Sequence, residues 1–246
     1  MCRTIKNLAC LVYVSTACVY PFKDLLEEKI HPLPLTAEQF LETVATDDRK
    51  KIDQLLKAYK QFPNPYTLCK ALGENLCQAD KGNIPICIIR PPIISSAIKS
   101  PVPGWTSKMQ AFNSFLFFWI IGLKRCLFSD PDNAIPAVPV DYVCNAMIVS
   151  ATKTARGHKA TGDVPVFNVV PCEHNQVTWR KLVAIGMSLV ADAPSIKAVR
   201  WPSECRISPV TPFRFIYSII FQHVIYGVFL DLVLILSGES PRSVSA

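Results

Sequence analysis

The chain opens on an apolar run, Ala9-Cys10-Leu11-Val12-Tyr13-Val14, with no polar residue at alternate places. Its β-branched and aromatic content predicts a strand buried on both faces, as in a parallel sheet. Arg3 and Lys6 before it, and the small residues Ser15 to Ala17 after it, imitate a short secretory signal. The strand is the better reading, because helices and a second buried strand come after it in the order of an α/β fold. After a polar, proline-rich stretch through His31 to Leu35, Thr36-Ala37-Glu38-Gln39 has the spacing of a capping box. It predicts a helix carrying Phe40, Leu41 and Val44. A second helix, with Ile52, Leu55, Leu56 and Tyr59, is predicted from about Asp47. Asn64 as N-cap and Pro65 at the first helical position announce a third. In it Leu68, Leu72 and Leu76 repeat every four residues as one apolar stripe. Gly82-Asn83 ends it, and Pro85 to Arg90 reads as a second buried strand. A helix between two buried strands is a βαβ crossover, and it predicts an α/β fold with a parallel sheet.

Beyond Pro91 the pattern changes. Phe115 to Leu123 is nine consecutive apolar residues, too few to cross a bilayer. Ile135 to Val143 carries two prolines and leads into a helix from about Asp141, Val164 to Val170 reads as a third strand, and Thr178 starts another helix. Thr211-Pro212 repeats the cap-and-proline start, and Phe213 to Leu236 is almost wholly apolar. That last segment is long enough to span, yet Arg214, His223 and Asp231 interrupt it, each central charge costing about 2.5–3.5 kcal/mol on insertion. It predicts a helix packed on the protein body or resting in the lipid interface.

Composition narrows the classes. The 246 residues are 50% hydrophobic and 18% charged, which excludes a disordered chain. The net charge of +7 comes from dispersed Lys and Arg. The densest cluster, Arg49-Lys50-Lys51, reads as a solvated helix face, and no basic stripe is interleaved with aromatics, so no nucleic-acid partner is expected. Ten cysteines come no closer than eight residues apart, and the four histidines His31, His158, His174 and His223 do not cluster near them. Neither a metal site nor a disulfide framework is expected. Cysteines within apolar runs, such as Cys87, behave as small hydrophobes. The picture is a reducing, cytosol-facing protein.

The candidate chemistry lies at the opening of the third helix, where Tyr66-Thr67-Leu68-Cys69-Lys70 forms Y-x-x-x-K. Four residues of spacing put both side chains on one helical face. A phenol ionises near pH 10, so acid–base work at neutral pH needs a neighbouring ammonium to stabilise the phenolate. Alone this pair is a common helix-face pattern. Its place, after a strand ending in Ser15-Thr16 and before one ending in Arg90-Pro91, makes it more informative.

In that arrangement the chain resembles the extended short-chain dehydrogenase/reductases. Further strings are similar to alcohol-forming fatty acyl-CoA reductases: Val14-Ser15-Thr16-Ala17, Tyr66 through Glu74, Arg90-Pro91-Pro92-Ile93-Ile94, Pro103-Gly104-Trp105 and Val138 through Asn145. The resemblance implies a partial Rossmann-like parallel sheet, the C-terminal half of that fold, followed by a helical region. Residues 1–180 would form the NAD(P)-binding part and 181–246 the start of the C-terminal domain. By the same resemblance Thr16 would hydrogen-bond the substrate carbonyl, with Ser15 as its alternative. Tyr66 would donate the proton and also contact the cofactor, Lys70 would bind the nicotinamide ribose and hold the Tyr66 pKa down, and Pro91, Pro92 and Ile93 would line the nicotinamide pocket. Asp141 and Asn145 match the family string, but helix capping explains them equally. The implied reaction is reduction of a long-chain fatty acyl-CoA to an aldehyde and then a primary alcohol, with NADPH as cofactor. The implied address is peripheral to a peroxisomal, endoplasmic-reticulum or lipid-droplet membrane.

Two departures from the family stand out. No glycine precedes Gly73, so the Gly-rich turn that receives the pyrophosphate is absent from this sequence, as is the residue that selects NADPH over NADH. The stretch from Thr106 to Leu123 holds a single glycine where the family is rich in Gly, Pro and Asn. The expectation is a reductase chain shortened at both ends. The alternative from another class is a non-catalytic remnant, a lipid- or membrane-associated protein that kept the half-fold. A sterol or nucleotide-sugar enzyme of the same superfamily would share Y-x-x-x-K without the other strings.

Overall fold

In a computed structural model the elements run, in chain order, β1 (Leu11–Val14), α1 (Ala37–Ala45), α2 (Arg49–Ala58), α3 (Pro65–Ala79), β2 (Ile86–Arg90), β3 (Ile93–Ser95), α4 (Ala111–Ile120) and β4 (Cys126–Phe128). They continue with β5 (Ala137–Pro139), α5 (Val140–Gly157), β6 (Val166–Asn168), α6 (Trp179–Asp192), β7 (Arg206–Ser208), α7 (Pro212–Tyr217) and α8 (Ile225–Leu236). The structure describes residues 2–238 except 35, 47, 108–110, 158–161, 173–174, 197, 199–205, 209–210, 218–219 and 222–223. Asp47, His158, His174, His223 and Pro241 therefore lie outside the described residues. The chain divides into two units, one of Met1–Ser107 with Pro136–Cys172, the other of Lys108–Ile135 with Glu173–Ala246.

The first unit is built on the parallel sheet β1-β2-β6, with Val12 opposite Cys87 and Ile88 opposite Val166. Every residue of β2 is buried, which is why Ile86 to Ile89 is an unbroken apolar run rather than an alternation. Cys87 sits in its middle, 4.0 Å from the Cys10 sulfur, and burial pushes the Cys10 thiol up to about 11. The helix starts form as the sequence predicts. Thr36 Oγ1 accepts the Gln39 N–H while Gln39 Oε1 accepts the Thr36 N–H, closing the box on α1. Asp48 accepts the Lys50 N–H at the start of α2, and Asn64 accepts the Thr67 N–H at the start of α3. Each such cap contributes about 1 kcal/mol.

Leu68, Ala71 and Leu72 of α3 pack with Leu55, Tyr59 and Phe62, and with Val19 and Tyr20 from the segment after β1. Burial of each leucine contributes about 1.5–3 kcal/mol. Leu76 leaves the predicted stripe and is 41% exposed. A spacing of four overshoots the 3.6-residue turn, so each repeat drifts around the helix, and by Leu76 the side chain has left the core face. On the other side α5 packs against β2. The short parallel pair β3-β5, which the apolar pattern did not reveal, extends this unit.

In the second unit Trp119 of α4 is buried against Val183 of α6, with Phe115, Leu116, Leu127, Met187 and Ile207 around them. A Cβ at Gly186 would fall 2.4 Å from the Trp119 ring, so the indole seats only against glycine. Trp119 and Ile121 of the apolar 115–123 segment are thereby core, while Phe118 is 45% exposed. Thr178 caps α6 through the Lys181 N–H, as its sequence predicts. No helix among the described residues is long and apolar enough to cross a membrane.

Candidate functional site

The parallel pairing continues past the ends of β1 and β2. Ser15 N–H donates to the Ile89 carbonyl and Ala17 N–H to the Pro91 carbonyl, both at 2.8 Å. These two bonds lay Ser15-Thr16 beside Pro91, at the carboxyl edge of the sheet, where open α/β folds bind their ligands. Thr16 is 6% exposed, and its Oγ1 accepts the Cys18 N–H at 3.2 Å. That acceptor contact leaves the hydroxyl proton available for donation. Ser15 is also buried, and its Oγ has no hydrogen-bond partner among the described residues.

Lys70 reaches the same corner from α3. Its ammonium donates to the Val14 carbonyl at 2.8 Å, one residue before Ser15. It stands 5.8 Å from the centre of the Tyr66 ring and 5.5 Å from that of Tyr13, so two phenol faces flank one cation. The approach depends on Gly73, one turn further along α3, where an added Cβ would lie 2.2 Å from Tyr13 Oη. With no side chain there, the helix settles against the Tyr13 ring, and Tyr13 Oη donates to the Lys70 carbonyl at 3.4 Å.

The two phenols differ. Burial pushes the Tyr13 phenol up to about 12, so it stays neutral and acts as packing. Tyr66 is 57% exposed and makes no hydrogen bond among the described residues, so its hydroxyl is open to an incoming group. Thr16 and Tyr66 share no hydrogen bond. They are connected through the Val14 carbonyl and Lys70. Pro91 is buried at the exit of β2, whereas Pro92 and Ile93 are partly buried, and Ile93 opens β3 with its N–H on the Pro136 carbonyl. Asp141, in the first turn of α5, accepts the backbone N–H groups of Lys99, Ile98 and Ser100. These bonds hold its carboxyl below the usual range and fix the loop that ends in the Pro103-Gly104-Trp105 turn. Asn145 is exposed. Tyr13 and Gly73 escaped the sequence reading. The signal was present, since a glycine three residues after Lys70 on a helix that faces a strand marks a close approach.

A parallel sheet with a tyrosine, a lysine and a threonine gathered at the carboxyl ends of β1 and β2 is a Rossmann-like α/β fold with its candidate chemistry at the expected edge. The chain belongs to the male sterility protein family, an NAD-binding family that matches residues 1–147. It is 29% identical over 245 residues to fatty acyl-CoA reductase wat of Drosophila melanogaster, a match that covers 98% of this chain and 46% of that protein. It is 26% identical over 243 residues to fatty acyl-CoA reductase 2 of Homo sapiens, again over 98% of this chain and 46% of that one. The chain thus spans about half the length of the curated relatives it matches.

Proposed function

We propose that this chain supplies the substrate-facing catalytic part of an NADPH-dependent fatty acyl-CoA reductase that converts a long-chain acyl thioester to the aldehyde and then to the primary alcohol. The observation that carries the reading is the Lys70 ammonium, seated on the β1 exit beside Thr16 and next to an open Tyr66. The residues present fit the nicotinamide-ribose end of the cofactor. An ammonium has three N–H donors, and Lys70 spends one on Val14, leaving two for ribose hydroxyls. The buried Pro91, with Pro92 and Ile93 beyond it, forms an apolar wall for the ring.

When bound, the nicotinamide supplies one hydride to each reduction. Thr16 donates its hydroxyl proton as a hydrogen bond to the carbonyl oxygen and orients it. Tyr66 gives that oxygen its proton as the carbon is reduced, and the Lys70 ammonium offsets the phenolate that remains. In the first reduction the C–S bond then breaks, the proton on that oxygen passes to the leaving CoA sulfur, and an aldehyde remains; the second reduction takes another hydride and another proton and yields the alcohol. The test is hexadecanoyl-CoA with NADPH, following NADPH loss and hexadecanol formation in the full protein. Wild-type alcohol output from Tyr66→Phe would falsify the assignment.

Exposed apolar side chains of α8, among them Val228, Phe229, Leu232 and Leu236, favour peripheral docking in the lipid interface, on the cytosolic face of the membrane into which such substrates partition. NADPH against NADH is decided by comparing the two in the same assay.

A further inference from the structure

Two fully buried charges of the first unit meet each other. Glu74 lies on α3 one turn beyond Lys70 and two beyond Tyr66, and Arg90 is the last residue of β2, immediately before Pro91. Both side chains are 0% exposed, and they form a bidentate pair: Arg90 Nε donates to Glu74 Oε1 at 2.8 Å and Nη2 to Oε2 at 2.7 Å. Two further donors of the guanidinium are used as well. Nη1 reaches the Glu27 carbonyl and Nη2 the Lys29 carbonyl, each at 2.8 Å. Tyr20, whose ring lies 5.5 Å from the guanidinium carbon, donates its hydroxyl to Glu74 Oε2 at 3.3 Å. Asn75 completes the ring of contacts by donating to the His31 carbonyl.

Those partners come from three segments, and each carries a part of the site. The 20–31 segment continues directly from Thr16, α3 carries Tyr66 and Lys70, and the β2 exit carries Pro91. We infer that Glu74 and Arg90 are positioning residues for the reduction, a clamp that fixes the rotation of α3 and the path after Thr16 relative to the exit of β2. The inference rests on the proposed reductase reading.

The physical argument is one of geometry. A planar guanidinium binds a carboxylate and two carbonyls only in fixed directions, so it specifies where three backbones stand. Tyr66 lies about 12 Å along the helix from Glu74 at 1.5 Å per residue, so a small rotation at the clamp is carried to the phenol. An apolar pair of similar volume would fill the same space, often with no loss of stability, but it would set no such directions. Misplacing a reacting group by about 1 Å is enough to cost about a hundredfold in rate.

The test uses the full protein with hexadecanoyl-CoA and NADPH, and measures kcat, KM, the pH profile of kcat and Tm. Glu74→Gln alone is expected to lower Tm, since it leaves a buried guanidinium without its counter-charge. The informative variants are the double exchange Glu74→Leu with Arg90→Met, and Arg90→Lys. The double exchange is expected to regain Tm and keep KM within about threefold, while kcat stays at least tenfold down and the pH profile shifts. Arg90→Lys keeps the charge but loses the fork, and is expected to lower kcat at least tenfold with the fold intact. Full kcat in either folded variant overturns the clamp and leaves the pair as packing. If the double exchange fails to fold, Arg90→Lys decides alone. Tyr66→Phe in the same preparation separates the two readings: wild-type activity there sinks the proposed reaction itself, whatever the clamp variants do.

Discussion

Gly73→Ala sets two magnitudes against each other. Alanine gains about 1 kcal/mol over glycine in a helix interior, and Gly73 has no left-handed backbone to oppose it. Against that, the new methyl would stand 2.2 Å from Tyr13 Oη and 2.7 Å from Cζ, distances at which something must shift. The Tyr13 ring is not very free to move. It packs against the cluster of Ile86, Ile88, Val164 and Val166, and its hydroxyl is tied to the Lys70 carbonyl. Overpacking of this kind costs about 1–3 kcal/mol. The net expectation is a loss of about 0–2 kcal/mol, with a displaced Lys70 as a side effect. Urea unfolding of the full protein measures it, in a cycle with Tyr13→Leu. In the leucine background the clash is relieved and alanine should become neutral or stabilising, so the two substitutions couple favourably. If Gly73→Ala alone raises stability by the full helix increment, the ring does not sit where the structure puts it and the argument for α3 seating fails.

Other outcomes rest on the same contacts. Tyr66→Phe should remove nearly all alcohol formation while leaving NADPH binding within about twofold, measured by fluorescence titration; equal loss of both would reassign Tyr66 to binding. Lys70→Met should weaken cofactor binding and kcat together, because it removes the ribose donors and the counter-charge at once, and steady-state kinetics with NADPH varied will show it. Burial first, then the nearby lysines and Arg90, hold His31 below its unfolded value of about 6.5. The stability this contributes is complete above that pH and is lost as pH falls from it toward the lower folded value. Denaturation midpoints of His31→Gln against wild type across that window should converge as the pH drops. Alkaline carbonate should release the membrane-bound protein to the supernatant, as for a helix lying in the interface, and retention in the pellet with aggregates excluded would show an anchor.

How much could be read from the residues alone depends on the range of the interactions. Capping at Thr36, Asn64 and Thr178 is local chemistry within four residues, and all three helices start where that chemistry places them. The continuous run at Ile86–Arg90 announces a strand buried on both faces, and with it the parallel partner it needs. The strands β3, β4, β5 and β7 are three residues each, too short to leave a periodicity, and only their pairing across the chain makes them strands. In the site, Tyr66 and Lys70 share a helix and were visible as a pair. The contact of Lys70 with Val14 spans 56 residues and that of Arg90 with Lys29 spans 61, so they exist only once the sheet has formed. Glu74 and Arg90 stood in the resemblance strings, yet nothing in a string shows that one fork holds three segments.

The order of strands in the first sheet also governs how the chain must assemble. Val12 meets its partner only when Cys87 has been made, and Ile88 meets Val166 only when about two thirds of the chain exists. Closing a loop of that length costs on the order of 4 kcal/mol before any ladder bond repays it. The helices α1, α2 and α3 are close in sequence and share the apolar cluster around Tyr59 and Leu72, so they can gather first. During synthesis the edge of β1 that receives β2 therefore waits unpaired beside a nearly finished helical layer. Its neighbour α3 arrives already rotated by its own packing, and β2 then enters between β1 and the future β6. The site is thus completed late, by the arrival of Arg90, and a ribosome-bound intermediate lacking β2 would present an open strand edge to chaperones or to another nascent copy.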